Sequence, residues 1–439
     1  MKIYGVEYET ININKQNSIT DITIVCFVYN FAPYIKNAFD SFMKQKLKYC
    51  YEVIVIDDAS TDGSSDIVRE YSKKYPNCFR GFIAKKNTYC NKDRNKIYWE
   101  IISEYAKGTY IAICEGDDCW IDIHKLQIQI DFMKKNNDVS MTVHNSSIIN
   151  FNNHTFYPSN TYSELGNRYL TAKDIIVREC GNIPTASIVV KKQVYLERPL
   201  AWLCAGCGDF PLHIYSLAKG KIYYFDRIMS VYRSNHQASF STRTYKSGFN
   251  PAYKHIIDLI DLVELMNGDT NYNYNIWFVI RIQQLVSDLF YFANTTGYEE
   301  IKNLILNSNY DKNSERTEEL IRVFRQMNDI SYLQPKAIEL SKNCKYLYIY
   351  GAGNYGHKIA EQLYNNNIRF DGFIVSDNQY IDEKDKEKIF HIGEIKEGKK
   401  EIGIIVGVNP FLWDQIRDNI IDMNFVAPLM YDITGMLKR

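Results

Sequence analysis

Five carboxylates in two short runs are the side chains of this sequence best placed to do chemistry. In IAICEGDDCW (111–120), Glu115 and Asp117 stand two apart, so in extended backbone both leave the same side, and Asp118 adds a third carboxylate at the turn. Hard oxygen ligands set this way suit Mg²⁺ or Mn²⁺ shared with a diphosphate; a solvated acidic turn has the same spacing. The second run is Asp57 and Asp58, which close EVIVIDD. A nucleotide base and its ribose need acceptors of that kind beside a diphosphate.

Both runs follow stretches that read as buried strands. ITIVCFVY (22–29) is continuously apolar and β-branched, as expected of a strand covered on both faces, and stops at Asn30 and Pro33. Ile35, Ala38, Phe39 and Phe42 then recur at helical spacing before EVIVIDD, which makes a βαβ unit. A helix with Ile67, Val68 and Tyr71, a strand at 79–84, a helix at 97–106 and a strand at 110–114 continue the alternation. Such alternation predicts an α/β fold with a mostly parallel sheet and a ligand site at the carboxyl ends of its strands. Leu126, Ile130 and Met133 mark a further helix, and Val139, Met141 and Val143 alternate as a half-buried strand.

Residues 150–240 are less regular. From Tyr253 to Phe324 the period is helical, with Ile256, Ile260 and Val263 on one stripe and IWFVIRIQQLVSDLFYF behind it. A new unit opens with KYLYIY (345–350), the run GAGNYG (351–356), a helix through Leu363, the strand FDGFIVSD ending at Asp377, and IGIIVGV (402–408). The expected organisation is a catalytic domain at 1–243, a helical section at 244–340 and a smaller αβ domain at 341–439.

Composition narrows the function classes. Lys and Arg number 52 and Asp and Glu 52, so no net charge draws the chain to nucleic acid or to an anionic membrane. With 46% hydrophobic and 24% charged residues it reads as globular, which excludes disordered and collagen-like chains. No apolar run is long enough to span a bilayer and MKIYGVEYET has no secretory core, so a cytoplasmic protein is expected, with a peripheral place at the inner membrane face as the alternative. Ten dispersed cysteines point to reduced thiols; Cys204 and Cys207 form a lone CxxC without the second pair a zinc site needs.

Taken in order, ITIVCFVYN, DDASTDGS (57–64), EGDDCW and DIHKLQIQIDFM (122–133) resemble the bacterial family 2 glycosyltransferases of GT-A fold, over residues 20 to 240. The resemblance implies that Phe27, Tyr29, Asp57 and Asp58 hold the uridine of a nucleotide-sugar. It places the metal motif on Glu115 to Asp117, Glu standing for the first Asp, and Asp118 on the donor side. In the loop NTYCNKDRN (87–95), Arg94 and Asn95 match the donor-contacting pair. GNIPTAS (181–187) and CGDFPLHIYSLAKGKIYYFDRIMSVYR (207–233) resemble the acceptor half, where the Asp of the GD step is the general base, here Asp209. Arg233 of the YR step joins the donor residues, and His236 in YRSNHQAS matches the His near the diphosphate.

The implied chemistry is a metal-dependent, inverting transfer of a hexosyl or acetamidohexosyl group from a nucleotide-sugar, expected to be a UDP-sugar, to a glycan or glycoprotein, as in polysaccharide biosynthesis. A bound divalent cation neutralises the leaving diphosphate, and a carboxylate takes the proton of the acceptor hydroxyl. Asp209 has a second reading, the N-cap of a helix over PLHIYSLA. Glu115 and the missing loop glycines leave open a silent nucleotide- or glycan-binding protein of the same fold. GAGNYG is a GxGxxG between a strand and a helix, with Gly351, Gly353, Gly356 and a late acid, Asp377; it resembles small Rossmann-like domains. NAD or another nucleotide there, and an oxidoreductase built on it, ranks below a fold kept for packing or partner contact, and homo-oligomer formation stays open.

Overall fold

The sheet of the first half is built around β3 (Ile22–Val28), which has a parallel neighbour on each side, β4 (Tyr51–Asp57) and β6 (Tyr110–Glu115). Every residue of β3 but Phe27 is buried, which is why its sequence is apolar without alternation. The architecture comes from a computed structural model that describes the chain apart from residues 14–19, 90, 92, 152–154, 159–165, 178–182, 204–207, 235–248, 294–302, 304–332, 353, 376–388, 392–400, 407–428 and 431–439. Two units divide it, one carried mainly by Met1–Thr295 and one mainly by Asp311–Arg439.

In the first unit, β1 (Lys2–Ile3) and β2 (Val6–Ile11) precede β3, and β5 (Phe79–Ala84), β7 (Cys119–Trp120), β8 (Val139–Asn150), β9 (Thr155–Pro158), β10 (Arg168–Leu170), β11 (Val189–Lys191) and β12 (Lys221–Ser234) follow in turn. Their order across the sheet is β1-β2-β5-β4-β3-β6-β11-β8-β12-β10, with β7 on β12 and β9 on β8. β5, β4, β3 and β6 are mutually parallel. The chain steps outward from β3 to β4 and β5, then returns to place β6 on the other side. That reversal is the topological switch point, and the crevice outside the carboxyl ends of β3 and β6 is where such sheets bind ligands.

The expected helices are present as α1 (Ile35–Met43), α2 (Ser64–Lys74), α3 (Arg94–Tyr105) and α4 (Lys125–Lys135). Ile35, Ala38, Phe39 and Phe42 form the buried face of α1; the Phe39 ring lies 5.0 Å from Tyr71 and 5.2 Å from Phe79, and Phe42 lies 4.8 Å from Trp120. Burying such rings supplies about 1.5–3 kcal/mol each before the entropy of ordering them. At the amino ends of the strands a buried ion pair, Arg80 Nη1 to Glu52 Oε2 at 2.7 Å, is completed by the Thr23 hydroxyl and the Lys107 amide, which donate to Glu52 Oε1 at 2.8 and 2.7 Å.

β8 differs from the half-buried strand its alternation predicts. It runs between β11 and β12, and both its faces are covered from Val139 to Ser147. Its polar face is satisfied internally: Ser140 Oγ donates to Ser216 O at 2.7 Å, and Gln129 Nε2 reaches Thr142 O at 3.3 Å. The helices Phe249–Asp269 and Asn275–Ala293 pack on one another within the first unit, with Tyr253, Ile256, Ile260 and Val263 buried as the stripe predicts. Trp202 Nε1 donates to Asp269 Oδ2 at 2.7 Å and ties the first of them to the domain before it. Among the described residues no helix is long and apolar enough to cross a membrane.

The second unit holds a parallel sheet ordered β15-β14-β13-β16-β17, from β13 (Tyr346–Tyr350), β14 (Gly372–Val375), β15 (Ile389–His391), β16 (Ile402–Val406) and β17 (Leu429–Met430). Sequence reading expects three strands. The two it misses are three and two residues long, too short to carry a period. Leu347, Ile349, Ile359, Leu363, Phe373 and Ile405 fill the core under the helix Asn354–Asn365. Gly351 closes β13 at φ 102°, a left-handed conformation that favours glycine, and its amide donates to Ile374 O at 2.8 Å.

Candidate active site

Two loops at the carboxyl rim, one after β3 and one after β4, are sewn together. Asn30, at φ 58°, donates its amide to Ser60 Oγ at 2.9 Å and accepts from the Thr61 amide at 2.8 Å through its side-chain Oδ1. The Phe31 amide donates to Ser64 Oγ at 2.9 Å and the Ala32 amide to Asp62 Oδ2 at 2.8 Å. Asp57 holds the second loop from within: Oδ1 accepts from the Ser60 amide at 3.0 Å and its hydroxyl at 2.6 Å, and Oδ2 accepts from the Ser65 hydroxyl. Asp58 faces the next loop, where Oδ1 accepts from the Thr88 amide at 2.8 Å and hydroxyl at 2.7 Å, and Oδ2 from Asn87 Nδ2 at 3.2 Å. Burial pushes both carboxyls up, against the pull of these donors.

The third loop carries Glu115, Asp117 and Asp118. One ligand atom from each lies within 4.8 Å of the others. The turn fits because residue 116 is glycine: a Cβ there would stand 3.2 Å from the side chains of Phe31 and Val28, and its amide donates to Phe27 O at 2.8 Å. Asp118 is 1% exposed; Oδ1 accepts from the Arg233 amide at 2.8 Å, while Oδ2 is buried with no hydrogen-bond partner among the described residues. Burial first, then the charges of Asp117 and Glu115, raise its carboxyl well above the ordinary range. Three carboxylates this close repel one another unless a cation is shared, so the donor set, all hard oxygen, fits Mg²⁺ or Mn²⁺.

Arg233 clamps this loop. Its Nη1 donates to Asp117 O at 2.5 Å, Nη2 reaches Cys119 Sγ at 3.9 Å, and the guanidinium lies 5.2 Å over the Tyr34 ring, at the start of α1. Behind the loop, Trp120 donates through Nε1 to Ala186 O at 2.9 Å, and Lys125 Nζ sits 4.4 Å over its ring. Lys125 is fully buried, Nζ has no hydrogen-bond partner among the described residues, and burial lowers its ammonium to about 7.

The other expected residues fall around these loops. Phe27 stacks on Tyr98 of α3 at 5.2 Å, and Tyr29 follows β3, half-buried. Arg94 opens α3 with its guanidinium 5.3 Å over Tyr89, and its charge acts on Asp58. Asn95 Oδ1 lies 4.0 Å from where a Cβ on Gly208 would stand, which brings the start of α3 beside the residue before Asp209. Asp209 is the first residue of the helix Asp209–Lys219, with Gly208 in the cap position, and its Oδ1 accepts from the Phe210 amide at 2.8 Å. His236, Gly353, Asp377, Cys204 and Cys207 lie outside the described residues; Gly356 is buried. Cys26, Cys50, Cys78, Cys114, Cys119 and Cys344 are free thiols.

Sequence reading missed Ser60, Ser65 and Thr88 as the partners of the acidic pair; DDASTDGSS carries a signal for the two serines, since hydroxyl residues after an aspartate fold back on it, and none for Thr88. Nothing in the sequence marked Tyr98 or Lys125.

The family model described as glycosyl transferase family 2 matches residues 23–188. An uncharacterized protein of Mycobacterium tuberculosis is 30% identical over 216 residues, 48% of this chain and 58% of that one, so the chain spans little more than half the length of the curated relatives it matches first. A poly(ribitol-phosphate) beta-glucosyltransferase of Bacillus spizizenii is 35% identical over 116 residues, 26% of this chain and 17% of that one. Among solved structures, S. aureus TarS 1–349 in complex with UDP is similar at TM-score 0.41 and 15% identity, covering 72% of this chain and 92% of that one.

Proposed function

With residues 23–188 forming a family 2 glycosyltransferase domain, we propose that the protein is a metal-dependent, inverting glycosyltransferase that uses a nucleotide-sugar, a UDP-sugar in the first instance, to extend a glycan or modify a glycoprotein. The observation that carries the reading is the trio Glu115, Asp117 and Asp118, gathered within 4.8 Å at the end of β6, beside the switch point. Glu115 and Asp117 would hold Mn²⁺ or Mg²⁺, with Asp118 behind them; the ion would supply positive charge to the leaving diphosphate.

The remaining work falls to the chain's own side chains. Phe27, Tyr29 and Asp58 would receive the base and ribose, with Arg94 beside them. Asp57 supports that surface from beneath, since both its oxygens already accept from the serines of its loop. Asp209 would take the proton of the acceptor hydroxyl while that oxygen forms its bond to the anomeric carbon. The bond to the diphosphate breaks on the opposite face, the electron pair leaves with the phosphate, and the configuration inverts. The approach of Asn95 to Gly208 supports this pairing of donor and acceptor sides. Arg233 would keep the acidic loop in register through two contacts to its backbone and carboxylate.

Incubation with a panel of nucleotide-sugars and Mn²⁺, with released nucleoside diphosphate as the readout, tests the reading. Turnover of one donor supports it. Binding of nucleotide without turnover of any donor would leave the silent nucleotide-binding reading in its place.

A further inference from the structure

Three isoleucines are exposed on one face of the first unit, and the proposed reaction uses none of them. Ile121 is 52% exposed, Ile123 37% and Ile228 36%. Single exposed apolar residues are ordinary, but a group of them marks a surface that meets something. Backbone hydrogen bonds gather these three. The Ile121 amide donates to Met229 O at 3.0 Å, which continues the pairing of β7 with β12 past Trp120 and sets Ile228 beside the turn. The segment KQKLK (44–48), which follows α1, runs alongside. Its Lys46 amide donates to Ile123 O at 2.7 Å, Gln45 Nε2 donates to Asp122 O at 2.8 Å, and Gln45 Oε1 accepts from the Leu126 amide at 3.1 Å. Gln45 is buried by these bonds, and Lys44, Lys46 and Lys48 on either side of it are left exposed next to the isoleucines.

The charge of this face differs from that of the whole chain, whose neutrality says nothing about a patch because a charge acts over only about 8 Å in physiological salt. Lys48 meets Asp131 at 3.2 Å and Arg227 meets Asp122 at 2.6 Å, while Lys44 and Lys46 have no ion-pair partner among the described residues. Within residues 44–48, 121–124 and 226–228, Asp226 is the one exposed acid. We propose that this face docks the protein on an anionic phospholipid bilayer, with the isoleucines at the boundary of headgroups and acyl chains and the lysines at the headgroup phosphates. Isolated aliphatic side chains standing among lysines suit that boundary, since hydrocarbon takes the one and phosphate the other. A two-fold dimer through the same face would set its lysines against one another. Asp118 is three residues from Ile121, at most about 11 Å of chain, so docking holds the acidic loop near the bilayer, the place of an acceptor carried on a lipid. That consequence rests on the proposed glycosyl transfer; the docking itself does not.

Flotation of the protein with phosphatidylcholine vesicles, with and without phosphatidylglycerol and at low and high salt, tests the proposal. The expected result is binding to the vesicles that contain phosphatidylglycerol, weakened by salt. Affinity should fall about tenfold in Ile121→Ser combined with Ile123→Ser, and about tenfold or more in Lys44→Gln combined with Lys46→Gln, each cation near the surface contributing about 1 kcal/mol. Donor turnover without vesicles should be that of the wild type in both, so a failure of the glycosyltransferase reading leaves the flotation result standing, and the reverse. Wild-type protein that does not float with anionic vesicles overturns the proposal. So does binding that neither pair of substitutions weakens, because the contact then lies elsewhere. Dimerisation without vesicles that the isoleucine substitutions abolish, read by sedimentation velocity, also overturns it, because a second copy then occupies the face.

Discussion

Asp57 and Asp58 on one loop, and Asp117 and Asp118 on another, are the same dipeptide at the carboxyl rim of one sheet, and they do opposite things. Around the first pair the chain supplies hydroxyls and amides: Ser60, Ser65, Thr88 and Asn87 donate to four carboxylate oxygens. Around the second it supplies more carboxylate. Asp118 keeps one oxygen buried without a partner among the described residues, and its neighbours Asp117 and Glu115 raise its carboxyl further. A buried acid held by donors is fixed in place, and three acids gathered together offer a place for a cation. The residue type is shared; the groups around it decide.

The largest effect that could break this comparison is on the acidic loop. Asp117→Asn should lower donor turnover by about 10²-fold or more, because a carboxylate that would hold the ion acts on charge developed in the transition state. Its metal-free folding stability should not fall, since one of three mutually repelling acids has been neutralised; chemical denaturation with and without chelator reads both halves. The same kind of change at the first pair should do the reverse. Asp57→Ala removes the acceptor for two serines and should cost about 2–4 kcal/mol of stability, measured as a shift in denaturation midpoint. If Asp57→Ala is as stable as the parent, the reading of Asp57 as an acid held by its donors fails.

A smaller effect belongs to Lys125, whose buried ammonium stands behind the acidic loop. Its folded pKa, about 7, lies below the unfolded value near 10.4, so the unfolded chain binds more protons between those limits and the wild type gains stability as pH rises through that window. Lys125→Met should therefore be the more stable protein below pH 7, by a few degrees in Tm, with the advantage shrinking toward pH 10. A constant difference across that range would contradict the buried, unpaired cation. The smallest effect is expected from the carboxyl-terminal unit: a chain ending before Lys345 should keep donor turnover, and the whole protein should show no hydride transfer with nicotinamide cofactors. Loss of turnover in the folded shorter chain would bring that unit into the active site.

Much of this was legible in the sequence, and unevenly so. Strands buried on both faces announce themselves by unbroken apolar runs, which is why β3, β4 and β6 and the acids at their ends could be read directly. β1 and β15 could not, because an edge strand of two or three residues carries neither a run nor a period. β8 misled because its serines and threonines look solvent-facing until helices cover them. For the candidate site, residue types and their spacing pointed to the acidic loop, and the family resemblance pointed to Asp209 and Arg233. Which acids are satisfied and which are not depends on Ser60, Thr88 and the Arg233 amide, and contacts across 30 or 115 residues of chain leave no pattern in either partner's neighbourhood.

Calorimetric titration of UDP into the protein, with Mn²⁺ and with chelator, for the wild type and for Asp117→Asn, tests the central claim most directly. The account predicts tight binding only in the wild type with metal, and weak binding, equal in the two proteins, without it. Equal affinity in all four titrations would show that the acidic loop holds no cation for the donor and would contradict the account.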